Sequence, residues 1–235
     1  IIVSIKKEGE VYIGQLQNKD FIRLSNNEMA EIISKKELNG QRYDLLITLN
    51  RRKSNHFQIS NYASFPSEIL HSPGVKIKVE ENAKRITFKQ IMPSDWVLVK
   101  QTHLSGWKVI FSGVEIDSSQ PINTPHKLNI FGLTGCLNFY ETSFNKSTIE
   151  VSGGNCEDGV NIVRSKGVIS NIYAKNVVSD AVDIDFSSIT IKNSLVINAG
   201  NDCFDVSGGN YSLNVLVGKN CKDKGLSVGE KSLLA

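Results

Sequence analysis

The chain has 235 residues, a formal charge of +3 and 22% charged side chains. A balance this close to neutral argues against a dedicated nucleic-acid or anionic-membrane surface, and no apolar run approaches the ~18 residues needed to span a bilayer. The length suits one large domain or two small ones.

In chain order, residues 1–74 read as mixed structure. "EVYIGQL", "FIRLS", "YDLLITL" and "HFQIS" have strand character, and "SNNEMAEIISKKELNG" reads as a helix. Ser25 and Glu28 stand at capping-box spacing, Met29, Ile32 and Ile33 form one face, and Gly40 supplies a stop. The expectation is a small α+β cap domain, since a solenoid needs its first coil covered. The basic run Asn50 to His56 reads as a solvated turn.

From Val75 onward the pattern changes. "VKIKVEENAKRITF" and "WKVIFSGVEI" are alternating strands suited to first, irregular coils. "GCLNFYE" then opens a repeat, with Leu137 matching Val160 at a step of 23 and regular copies 22 residues apart following. Asp158, Asp180 and Asp202 align. Val160, Val182, Phe204 and Leu226 share a column, as do Ile162, Ile184, Val206 and Val228. Between them lie Asn161, Asp183, Asp205 and Ser227, which is the alternation of a half-buried strand. Two further apolar columns hold Ile169, Ile191 and Leu213, and Tyr173, Leu195 and Val217. Asn176, Asn198 and Asn220 also coincide, and asparagine tolerates left-handed geometry while its amide can bond the next copy.

A period near 22 with short strands predicts a mainly β fold, a right-handed parallel β-helix over residues 75–235. A leucine-rich repeat has an overlapping period but needs a leucine and asparagine consensus that these copies lack. Cys136 and Cys203 share a column three coils apart, roughly 14 Å at about 4.8 Å per coil. Cys156 and Cys221 are similarly separated. Disulfides need Cα atoms within about 7 Å, so four free thiols are expected. The chain starts at Ile1 without a methionine and ends in mid-pattern at "KSLLA", so it reads as part of a longer solenoid, truncated at its C-terminus, whose last coil can continue or self-associate.

The period, the asparagine column and "DGVNIVRS", "DAVDIDFS" and "DCFDVSGG" resemble the right-handed parallel β-helix proteins of the pectin-lyase-like superfamily. The resemblance covers roughly Val75 to Ala235. "LTGCLNFYET", "EDGVNIVRSKG" and "DKGLSVGEKS" are more narrowly similar to β-helix regions of bacterial surface proteins. This resemblance implies polysaccharide partners, uronate-containing ones among them, at or outside the cell envelope, and it leaves open whether the chain is a lyase, a hydrolase or a binding module.

Three fates are open to the outward acids Asp183, Asp205 and Asp185, because like charges on adjacent coils need relief. As a catalytic pair, Asp183 and Asp205 straddle a glycosidic bond as acid and base. As a cation site, Asn161, Asp183, Asp185 and Asp205 hold Ca²⁺; the resemblance to lyases then implies that the cation neutralises a uronate while a lysine or arginine removes its C5 proton, with Arg164, Lys166 and Lys224 the available bases or charge partners. As structure, Arg164 or Lys224 pairs with the acids and the array is a rigid spacer. Asp185, Phe186, Lys224 and Glu141 are the candidate substrate contacts, and Tyr140, Phe186 and Tyr211 the aromatic side chains suited to a sugar ring. Asp158, Asp180 and Asp202 are expected to bond turn amides.

Overall fold

The computed structural model describes residues 2–8, 11–16, 21–24, 57–115 and 128–235. The chain divides into two compact units, Ile1–Ser54 and Asn55–Ala235, twenty residues before the boundary expected at 74. In the first, β1 (Ile2–Glu8), β2 (Val11–Leu16) and β3 (Phe21–Leu24) form an antiparallel sheet. The helix expected at 25–40, the strand at 43–49 and the basic run ending at His56 lie outside the described residues.

The second unit is a β-solenoid of about six turns with about 23 residues per turn. It opens with antiparallel hairpins: β4 (Gln58–Ser60) with β5 (Ile69–His71), and β6 (Lys76–Glu80) with β7 (Arg85–Lys89) across a one-turn 3₁₀ segment. β5 also pairs antiparallel with β8 (Val97–Lys100). These hairpins cover the first coil, so the edge protection expected of residues 1–74 is supplied in part by residues 58–80.

Two parallel sheets then grow coil by coil. The smaller sheet continues from β8 through β11 (Gly135–Tyr140), β13 (Asp158–Val163), β15 (Asp180–Asp185), β17 (Phe204–Ser207) and β20 (Ser227–Val228). The larger sheet runs from β7 through β10 (Lys108–Ser112), β12 (Ser143–Ser152), β14 (Lys166–Val177) and β16 (Ser188–Ala199), and then to β18 (Asn210–Leu213), β19 (Leu216–Cys221) and β21 (Leu233–Leu234). β9 (His103–Ser105) joins β12.

The 22-residue step is the hydrogen-bonding register itself. Val160 pairs with Val182 and Val182 with Phe204, while Ile162, Ile184 and Val206 follow beside them. All six are fully buried. Opposite them Phe88 stacks on Phe111 and Phe111 on Val151. A buried Phe or Val in such a column is worth about 1.5–3 kcal/mol of transfer free energy.

Tyr173, Leu195 and Val217 are in register as the repeat requires, but they point outward, and the inward places belong to Ile172, Ala174 and Val196. The cause is a change of parity within β14. Ile169 and Ile172, three residues apart, both face the core, so the strand turns a corner between them. The next corner is the asparagine column. Asn176, Asn198 and Asn220 have φ of 54°, 60° and 57°. Asn198 Nδ2 donates to Asn176 Oδ1 at 2.8 Å, and Asn220 Nδ2 to Asn198 Oδ1 at 2.9 Å.

The expectation of free thiols is wrong. Cys136 is bonded to Cys156 and Cys203 to Cys221, each with Cα atoms 5.4 Å apart. The coil-to-coil distances ruled out only cross-coil pairs. These bonds lie within one coil, across the corner where the larger sheet hands the chain back to the smaller. Sequence separation is 20 and 18. In intervening coils the same corner is filled by Gly159 with Val177 and by Ala181 and Ala199, both buried.

Candidate functional site

Strands β13, β15 and β17 bring together most of the residues singled out by the repeat. Asn161 pairs in register with Asp183, Asp183 with Asp205 and Asp205 with Ser227, on coils about 4.8 Å apart. Val163, Asp185 and Ser207 form the next outward column, and Tyr140 precedes Val163 in it. The column beyond is the corner itself, with Glu141, Arg164, Phe186 and Gly208 on successive coils.

That corner is held by backbone geometry. Glu141, Arg164 and Phe186 have φ of 50°, 50° and 49°, and Gly208 has 63°. Each donates its amide to the following coil: Glu141 N to Val163 O, Arg164 N to Asp185 O, Phe186 N to Ser207 O and Gly208 N to Glu230 O. Lys231, with φ 60°, is the next member. One step inward, Thr142, Ser165 and Ser187 are buried and relay hydrogen bonds between coils. Thr142 N donates to Ser165 Oγ at 3.0 Å and Ser165 N to Ser187 Oγ at 2.9 Å.

Left-handed backbone costs a bulky L-residue about 1–3 kcal/mol, and Gly208 shows the relaxed solution. Phe186 is nonetheless 51% exposed, with its ring close over Gly208. Arg164 is exposed and donates from Nη1 to Tyr140 Oη at 3.3 Å. A strained, exposed aromatic beside an exposed guanidinium is what the coil does not need for folding.

Burial along the acid column is graded. Asn138 and Asn161 are buried, whereas Asp183 and Asp205 are half-buried. Asn161 Nδ2 donates to Asp183 Oδ2 at 2.8 Å. Burial raises the Asp183 carboxyl well above its ordinary value, and Asp158, Asp185 and Asp205 raise it further. Asp205 is raised by burial and by Asp202, opposed by hydrogen bonding from Ser227 and by the charge of Lys224. One Asp205 oxygen, Oδ1, is buried without a partner.

The three aligned aspartates at the strand starts do not behave alike. Asp180 Oδ1 accepts from Asp202 N at 2.7 Å and from Asn201 Nδ2 at 2.8 Å, and Asp202 Oδ1 accepts from Lys224 N at 2.7 Å. These are the turn-amide bonds the sequence predicted. Asp158 is 2% exposed, and its Oδ2 has no partner. Burial, outweighing a hydrogen bond from Thr134, pushes its pKa up to about 8, and Asp180 adds to the rise. Asp158 thus belongs electrostatically to the acid cluster, a role that its column in the repeat did not reveal.

Lys224 sits at the strand-start end of the column, bonded to Asp223 and 3.6 Å from Asp202 Oδ2. Glu141 accepts from Gln101 Nε2 at 3.1 Å. Tyr211 is not available to a sugar. It is buried, donates its hydroxyl to Ser207 O at 2.7 Å and Ile184 O at 2.9 Å, and burial pushes it up to about 12. Asn161 presents its Nδ2, not its carbonyl oxygen, to Asp183, and among the described residues no group of three or more His, Cys, Asp or Glu is placed to hold a metal ion. Also among the described residues, no helix is long and apolar enough to cross a membrane.

Compared with protein-family models, with curated proteins and with solved structures, the chain matches none.

Proposed function

We propose that the protein recognises a uronate-containing polysaccharide at the bacterial cell envelope, and that the acid column with its neighbouring corner is where the sugar sits. The observation that carries this reading is the in-register pair Asp183 and Asp205, both carboxyls raised by burial, with the exposed, strained pair Arg164 and Phe186 two columns away. Asp183 and Asp205 bond sugar hydroxyls. Arg164 meets a sugar carboxylate, Phe186 stacks on a ring face, and Asp185, Glu141 and Lys224 border the path. Two disulfides support an oxidising, extracytoplasmic setting.

The same pair is the natural place for hydrolysis. Asp183 and Asp205 lie in register on adjacent strands, and in a retaining glycosidase one such carboxyl acts as acid and the other as nucleophile. The test is incubation with a panel of uronate polymers, scored for binding and for new reducing ends. Loss of both signals in Asp183→Asn and Asp205→Asn, with unchanged melting, supports the catalytic form of the reading. Binding without new reducing ends reduces it to recognition.

A structural reading has its own observation: Asn161 ties Asp183 to the preceding coil, as Asp180 and Asp202 tie theirs. In that case the column is a spacer's internal bonding. Glycan binding by the wild type that survives both Asn variants and Phe186→Gly would favour it.

A further inference from the structure

A serine and a histidine are joined at the opening hairpin of the solenoid unit, on strands that precede the acid column. β4 pairs antiparallel with β5, with Ser60 opposite Ile69 and Gln58 opposite His71. Ser60 and His71 are therefore diagonal neighbours across the pair. Ser60 Oγ lies 2.9 Å from His71 Nε2, and His71 Nδ1 lies 2.8 Å from Ser72 O. Burial lowers the His71 pKa from its ordinary 6.5, outweighing the Ser72 bond and the charge of Asp95, so the ring is neutral at pH 7. A carbonyl only accepts, so Nδ1 of the neutral ring carries the proton and Nε2 presents its lone pair. The Ser60 hydroxyl then donates to Nε2, which is the polarity a serine nucleophile needs.

The ring is fixed from behind. β5 lies between β4 and β8, with His71 opposite Val97, and His71 is 2% exposed. Ser72, whose carbonyl sets the tautomer, is clamped in turn. Its N donates to Trp96 O at 3.0 Å, and its Oγ accepts from Trp96 N at 2.9 Å and donates to Asp95 Oδ1 at 2.8 Å. Asp95 Oδ2 accepts from Ile91 N and Met92 N. Ser60 itself is half-buried, its Oγ makes no other hydrogen bond among the described residues, and Gln58, Ile59 and Asn61 around it are exposed. Among the described strands β4 is the edge of the smaller sheet, so alternate N–H groups along it face away from β5 without a ladder partner.

We propose that Ser60 and His71 are a nucleophile and general base that hydrolyse small carboxylic esters. Ser60 Oγ bonds to the acyl carbon as its proton passes to His71 Nε2. The bond from that carbon to the alcohol oxygen breaks, and the alcohol leaves with the proton from Nε2. Water oxygen then bonds to the acyl carbon and gives a proton to Nε2, and the carboxylic acid leaves as Ser60 Oγ takes that proton back. Outward N–H groups of the β4 edge are the donors available to the oxyanion. Exposed neighbours on an edge strand suit a short acyl group. The inference does not depend on the glycan reading.

The experiment incubates the full chain with p-nitrophenyl acetate, p-nitrophenyl octanoate and a fluorophosphonate probe, and maps the labelled peptide by mass spectrometry. The probe is expected to modify Ser60, and acetate to turn over faster than octanoate. Ser60→Ala and His71→Gln should each lower acetate turnover roughly a hundredfold or more and abolish labelling. Ser67→Ala, which removes a hydroxyl bonded to Glu68 O and Lys100 O in the same hairpin, should keep both signals. Should His71→Gln fail to fold, the label on wild-type Ser60 and its turnover against Ser60→Ala decide. A probe that leaves Ser60 unmodified, or turnover that survives Ser60→Ala, overturns the proposal and makes the pair an internal bond of the hairpin. Labelling unchanged in a folded His71→Gln overturns the base, and octanoate turning over as fast as acetate overturns the small-ester class.

Discussion

Asp158 and Phe186 are the residues whose environments the fold does not reward. Asp158 keeps a proton because its carboxyl is buried with one oxygen unpartnered. Its folded pKa of about 8 lies above the ordinary aspartate value of 3.8, so the native state binds the extra proton between those limits. Stability is then greatest near pH 4 and is lost as pH rises toward 8. A thermal melt should show Tm several degrees higher at pH 5 than at pH 8.5, and Asp158→Asn should remove most of that difference. An equal or larger slope in the variant would place the proton elsewhere. Phe186 is the complementary case. Phe186→Gly relieves left-handed strain, so stability should hold or rise by about 1 kcal/mol while glycan affinity falls. A loss of both in parallel would make the ring structural.

At the scale of the element, coils were legible in the sequence wherever one strand keeps one parity. Val160, Val182 and Phe204 announce their stacking because inward and outward places alternate without interruption. Tyr173, Leu195 and Val217 were legible in register but not in direction, because β14 turns a corner that shifts parity and no glycine or proline marks it. The disulfides were hidden for a related reason. Their partners are 18 to 20 residues apart within one coil, a separation that a column-by-column comparison never tests. The signal was present, since Val177 and Ala199 precede Cys221 in its column just as Gly159 and Ala181 precede Cys203. Ala181→Cys/Ala199→Cys should therefore form a third bond, detected as loss of two titratable thiols on oxidation, and two persistent thiols would contradict the shared corner. Conversely, Cys203→Ser/Cys221→Ser closes no loop of 18 residues and should cost about 3 kcal/mol, read by denaturant unfolding.

For the solenoid unit as a whole, near-neutral composition concealed an uneven division of charge: Asp183, Asp185 and Asp205 gather on the outer face of the smaller sheet, while on the larger sheet Lys108 and Glu150 stand together as an ion pair. A one-dimensional stack makes such a division simple, because each coil repeats its outward choices at the same place. The acid column was visible in the 22-residue spacing. Its chemistry was not, because the burial that raises the carboxyls of Asp158 and Asp183 depends on neighbours far apart in sequence. The direct measurement is backbone amide chemical-shift mapping of the full chain titrated with oligogalacturonate. The account predicts saturable shifts at Asp183, Asp185, Phe186, Arg164 and Asp205. Saturable shifts confined to other surfaces, or none at millimolar sugar, would contradict it.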